Sequence, residues 1–300
     1  MIDFWIILVA CLVSCSCSLL GCFLVLRKTS MLTDAISHAV LPGIVIMFLL
    51  SGSKNSFLMI FGASLIGLLT TFLIEFLSQR AKVQADASIG VVFTFLFSIG
   101  IILVTVFADQ VDLDQDCILY GEILYVPLDM VNIFGNKVDF QIPNALLLFI
   151  PLLVYIILFI KVFYKQLLIT TFDNQFATTI GISATFWHYA LMTNVSITTV
   201  ASFESVGAIL VIALFVVPPA SAYLLSKDLK KMLLLSCFIG VIDCILGYYL
   251  SYLFNCSTAG AIATIAGIVF MIILLYTIYQ KKIYYLFNIK KMQKPISNIE

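Results

Sequence analysis

Runs of about 20 mainly apolar residues, the length an α-helix needs to cross the hydrocarbon core of a bilayer, recur along this chain. They fall near residues 4–26, 32–51, 56–78, 88–107, 142–163, 184–203, 205–226, 231–253 and 258–280. Little sequence is left over for a water-facing domain. With 62% hydrophobic residues, 11% charged residues and a mean hydropathy of +1.14, the composition lies far from that of a soluble protein. The pattern predicts an all-α polytopic transmembrane bundle of about eight to ten helices over residues 1–280, surrounded by membrane lipid, with a basic tail at 281–300.

Lysine plus arginine and aspartate plus glutamate balance at 16 each, so no whole-chain field points to nucleic acid. Local placement is ordered instead. Arg27 with Lys28, Arg80 with Lys82, Lys161 with Lys165, Lys227 with Lys230 and Lys231, and Lys281 through Lys294 each follow an odd-numbered run. Asp109, Asp112, Asp114 and Asp116 follow the fourth, and Lys54, beside the second, departs mildly from the pattern. The positive-inside rule then places the odd-numbered gaps and the tail in the cytoplasm and the N-terminus outside. The weakest boundary is Ser202-Phe203-Glu204-Ser205, where one bent helix would change the count. Residues 117–141 read as an external loop with a short interfacial or re-entrant helix. Leu19-Leu20-Gly21-Cys22 imitates a lipoprotein cleavage site, but the basic stretch of a secretory signal is missing and a retained first helix is expected. The eight cysteines show no Cys-x-x-Cys spacing and read as small apolar residues.

No Gly-x-x-x-x-Gly-Lys-Ser/Thr loop occurs, so an ATP-driven process would need its motor on another chain. Ionisable groups within apolar runs are costly and mark candidate sites. The best pair is Asp34 and His38, four residues apart and therefore on one helix face. A carboxylate with a neutral imidazole suits zinc, manganese or ferrous iron. Pro42 removes the hydrogen bond that would close on the His38 carbonyl. From spacing alone, a capping Asp34 and a His38 hydrogen-bonded in the bundle stand level with a metal site. Glu75, His188 and Asp243 read as satisfied structural groups, Glu204 equally as a pathway residue or a bland one, and Asp86 as an N-cap. Pro218-Pro219-Ala220-Ser221-Ala222 combines a kink with small packing residues, and a hinge is the alternative. On the cytoplasmic side, Asp173 caps a short helix carrying Ala177 and Gly181.

Arg27-Lys-Thr-Ser-Met-Leu-Thr-Asp-Ala-Ile-Ser-His-Ala-Val-Leu-Pro-Gly43 resembles the signature of the membrane permeases of ATP-binding-cassette uptake systems for zinc, manganese and iron. Similar agreement at Asp86 to Gly90, Asp112 to Leu124, Asp173 to Gly181 and Val206 to Ala222 extends the resemblance over roughly residues 20–270. The resemblance implies a transport permease, not an enzyme, in the bacterial cytoplasmic (inner) membrane. It implies that Asp34 and His38 contact the transported divalent ion, and that the stretch with Asp173, Ala177 and Gly181 docks into the ATPase subunit. It further implies an extracytoplasmic metal-binding protein, a second permease (identical or paralogous), and no permanently bound cofactor. Pro42, Pro218 and Pro219 are candidate kinks or hinges of the pathway. One departure is Ser257-Thr-Ala-Gly260, where a proline is expected before the last span. The rival readings are a ferric-siderophore or cobalamin permease, a secondary cation transporter without an ATPase, and a polytopic membrane enzyme.

Overall fold

A computed structural model describes residues 2–51, 56–107, 123, 130–132 and 141–292. Among these residues are eleven helices: α1 (Ile2–Arg27), α2 (Met31–Ser51), α3 (Ser56–Gln79), α4 (Ala85–Phe107), α5 (Asn144–Val162), α6 (Tyr164–Phe172), α7 (Asn174–Thr179), α8 (Ala184–Val206), α9 (Ala208–Leu225), α10 (Leu229–Phe254) and α11 (Thr258–Met292). Eight of them, all but α6, α7 and α8, are long and apolar enough to cross a membrane. The nine apolar runs of the sequence thus correspond to α1–α5 and α8–α11.

The sixth run, α8, is too polar for that criterion because it lies inside the bundle. Asn194, Ser196, Thr198, Thr199 and Ser202 on it are buried. Polar groups away from water need partners, and two of these bond back to their own helix: Asn194 Nδ2 donates to the Ala190 carbonyl and Thr198 Oγ1 to that of Asn194, both at 2.8 Å. Ser196 instead reaches across to the Ser64 carbonyl of α3 at 3.1 Å.

The boundary between the sixth and seventh runs is a true break. Gly207 adopts φ 80°, ψ 161° between α8 and α9, a conformation open to glycine and costly for other residues. At the end of α1 the left-handed Lys28 lets the Thr29 N–H return to the Leu24 carbonyl, closing the helix so that α2 starts three residues later. The predicted interfacial helix of residues 117–141 and the acidic stretch at 109–116 lie for the most part outside the described residues. The described part is a two-stranded antiparallel ribbon, β1 (Met130–Asn132) with β2 (Gln141–Pro143), registered Val131 to Ile142. The basic tail begins as helix, since α11 continues through residue 280 to Met292.

Lipid tails are as apolar as leucine, so helices in a bilayer associate by close packing and polar contacts. The seams here are built accordingly. Gly43 of α2 lies against Gly62 and Ala63 of α3, and Gly67 of α3 against Ile36 of α2 and Ser196 of α8. Pro42 packs on Gly100 of α4, so α2 is clasped between α3 and α4. In the other half, α1 runs antiparallel to α10: the Tyr248 hydroxyl donates to Asp3 at 2.6 Å, Ser14 sits on Gly240, and the Cys22 thiol donates to Ser236 at 3.1 Å.

Pro218 and Pro219 sit in the seam between α9 and α1. Prolines at these positions leave the carbonyls four residues earlier, those of Leu214 and Phe215, without helical donors. Ser18 Oγ donates to the Leu214 carbonyl at 3.5 Å, and the side-chain-free face of Gly21 admits the Phe215 carbonyl.

Candidate functional site

Asp34 and His38 occupy the first two turns of α2, with His38 Nε2 3.4 Å from Asp34 Oδ1. Their side chains are 49% and 28% exposed, which leaves the pair open on the surface of this chain. The imidazole is held from behind by α4: ring centroids lie 5.1 Å from Phe93 and 6.2 Å from Phe97. Because α2 is clasped by α3 and α4 at its glycine and proline contacts, the pair stands on a rigid wall. No third His, Cys, Asp or Glu joins it among the described residues. A bound first-row cation takes four or more ligands, so the remainder must come from water, the His38 carbonyl freed by Pro42, or another chain.

A second carboxylate–imidazole pair, invisible in the sequence because its members are 113 positions apart, lies at the end of the bundle that carries Arg27. His188 Nε2 of α8 is 2.6 Å from Glu75 Oε1 of α3. Arg27 lies 3.4 Å from His188 Nδ1 through one guanidinium nitrogen and donates to Thr171 Oγ1 and Thr170 Oγ1, each at 3.1 Å. A guanidinium can only donate. The network therefore assigns Nδ1 as acceptor, and Nε2 stands 2.6 Å from the Glu75 carboxylate. Tyr189 lies beside them on the same wall. These groups line a cavity of about 430 Å³ that also touches Gln79 and Asn174. Their meeting puts the ends of α1 and α3 and the segment from Thr170 to His188 on one side, as the charge pattern of the sequence requires.

Next to this cluster, Asp173 Oδ1 caps α7 by accepting the Phe176 N–H at 2.9 Å. Gly181, at φ 84°, ends the turn after it with nothing near the position of a Cβ. Ala177 is fully buried. The outward face is made instead by Phe172, Phe176 and Ile180, spaced by four and 64%, 52% and 53% exposed. Tyr164, at the start of α6, has its hydroxyl pushed above the ordinary tyrosine range, by partial burial first and by the charge of Asp228 second.

Asp243 is fully buried on α10, and neither of its oxygens has a hydrogen-bond partner among the described residues. The expectation that each scattered intramembrane charge is satisfied by neighbours thus holds for Glu75 and His188 and not for Asp243. Glu204 lies in the last turn of α8. Sequence reasoning missed Phe93, Phe97 and the Phe172–Ile180 stripe. The last has a signal, since an apolar i, i+4, i+8 row in a polar connecting segment marks a face that needs a partner.

The sequence pattern of the ABC 3 transport family matches residues 2–277. The manganese transport system membrane protein MntD of Bacillus subtilis is 47% identical over 264 residues, 88% of each chain. The zinc transport system membrane protein TroD of Treponema pallidum is 42% identical over 272 residues, 91% of this chain and 73% of its own. Among solved structures, PsaBC from Streptococcus pneumoniae in complex with Fab superposes with a TM-score of 0.73 at 32% identity, covering 90% of this chain and 89% of that one.

Proposed function

Because this chain belongs to the ABC 3 transport family, we propose that it is the membrane permease of an ATP-driven importer of divalent metal ions, manganese, zinc or iron, with Asp34 and His38 as its contacts to the ion. The observation that carries the reading is the pair itself: a carboxylate and an imidazole 3.4 Å apart, half-open on a clasped helix and backed by two phenyl rings. Stripping water from a divalent ion costs far more than any neutral wall returns, so the pathway must supply ligands of this kind. Manganese is the cargo named for MntD and zinc that named for TroD, and oxygen plus imidazole donors serve both.

The pair is exposed on one chain and short of ligands, which supports a pathway completed by a second permease facing α2. An extracytoplasmic metal-binding protein would deliver the ion to the outer mouth. ATP is hydrolysed by a separate subunit, docked on the cytoplasmic segment around α7. There Asp173 shapes the helix, Ala177 anchors it from within, Gly181 turns the chain, and Phe172, Phe176 and Ile180 offer the contact face. Pro42 acts in this reading as the device that frees a carbonyl beside the ion. Pro218 and Pro219 shape the seam between α9 and α1.

Uptake of labelled manganese, zinc and iron in cells carrying Asp34→Asn or His38→Ala, with membrane insertion verified, tests the assignment. Each substitution is expected to reduce uptake at least tenfold, and normal uptake by both overturns it.

A further inference from the structure

We propose that Arg27, His188 and Glu75 form the joint through which movement of the α7 segment reaches the helix that carries Asp34 and His38. The inference rests on the reading of α7 as the ATPase-docking element and of Asp34 and His38 as contacts of the ion.

The cluster grips both stems of the docking segment. Thr170 and Thr171, bound by Arg27, lie just before Asp173 and α7; His188, in contact with Arg27 and Glu75, lies on the second turn of α8, beyond Gly181. Arg27 ends α1 and Glu75 is on α3, so a displacement of α7 loads two transmembrane helices at once. From Glu75 the load passes along α3 to its contacts with α2, where Gly67 meets Ile36 and Gly62 meets Met47. Ile36 stands between Asp34 and His38 in the sequence. The seam is closest at Gly43, where the backbone of Gly62 and Ala63 fills the space in which a Cβ would sit, and Ile36 and Met47 of α2 fill the space beside Gly67 and Gly62.

The chemistry of the joint suits transmission better than ion binding. Both nitrogens of His188 face a charged neighbour, Nδ1 accepting from Arg27 at 3.4 Å and Nε2 standing 2.6 Å from Glu75, so the ring bridges a cation and an anion. The side chains of His188 and Glu75 are only 19% and 21% exposed, which strengthens each bond relative to water. Arg27 repels a second cation at this place. A partly buried network of this kind has one satisfied arrangement and breaks as a unit, which makes it stiff under small loads.

The test uses the full transporter, permease with its ATPase and binding protein, reconstituted in lipid vesicles. ATP hydrolysis and manganese uptake are measured on the same preparation. Glu75→Ala and Arg27→Lys, the second keeping the charge but losing the forked donors, are each expected to leave hydrolysis within about twofold while metal moved per ATP falls at least tenfold. Glu75→Gln keeps an acceptor for His188 and is expected to retain coupling within about threefold. Unchanged metal per ATP in Glu75→Ala and Arg27→Lys overturns the joint. So does a parallel fall of hydrolysis and uptake in both, which marks a group that only holds the fold. Vesicles with the unaltered chain that hydrolyse ATP and move no manganese, zinc or iron overturn the transport reading itself, a separate outcome.

Discussion

The imidazole of His38 rests against the ring of Phe93, centroids 5.1 Å apart, so the orientation of an α2 side chain is set by α4. An aromatic contact of this type contributes about 1 kcal/mol beyond simple burial. Phe93→Ala frees the ring to rotate away from Asp34, and the expected result is an apparent KM for metal uptake raised about fivefold, with maximal rate little changed. Uptake measured against metal concentration checks it.

Replacing the imidazole changes the hardness of the ligand set. His38→Asp leaves two carboxylates one helical turn apart, a set that favours manganese and disfavours zinc relative to a mixed oxygen–nitrogen site. The ratio of zinc to manganese uptake is expected to fall by about tenfold in competition assays with both ions present. An unchanged ratio would show that selectivity is decided elsewhere.

Phe176 is 52% exposed at the centre of the apolar row on the α6–α7 segment. A charge placed there does not disturb the fold but cannot be desolvated against a partner without a cost of several kcal/mol. Phe176→Asp is therefore expected to insert and purify normally while the ATPase subunit no longer copurifies. Asp173→Ala removes the cap of α7, worth about 1 kcal/mol, and is expected to weaken the same association by a smaller factor.

Two glycines on transmembrane helices separate packing from propensity. A Cβ at Gly21 would fall on the Phe215 carbonyl, backbone that cannot yield, whereas Gly90 has open space around it. Gly21→Ala is expected to lower the thermal stability of the detergent-purified chain by a few kcal/mol or to prevent accumulation. Gly90→Ala is expected to be neutral or stabilising by up to about 1 kcal/mol, the helix-propensity difference. Melting curves of the two variants side by side decide the matter.

How much was legible in the sequence depended on the range of the physics. The helix ends from α1 to α5 and of α9 and α10, and the start of α11, follow the apolar runs closely, because the length of a span is a local match to bilayer thickness. Asp34 and His38 could be paired because four residues is one helical turn. Glu75 and His188 could not, since nothing local tells one half-buried charge of another 113 positions away. Ala177, expected from the sequence at the docking segment, is buried, and the exposed apolar side chains there are Phe172, Phe176 and Ile180.

By itself the sequence determined that this chain lives in a bilayer, roughly where its spans begin and end, and that one helix carries a carboxylate and an imidazole on a single face. Those properties come from hydrophobicity, charge and helical period, all of which act within a few turns. The tertiary structure alone decided that Phe93 holds His38, that Ser18 and Gly21 receive the carbonyls Pro218 and Pro219 set free, and that Arg27, His188 and Glu75 meet beside α7. Such contacts depend on how helices seat against one another, and in lipid that seating is set by close packing between segments far apart in the chain.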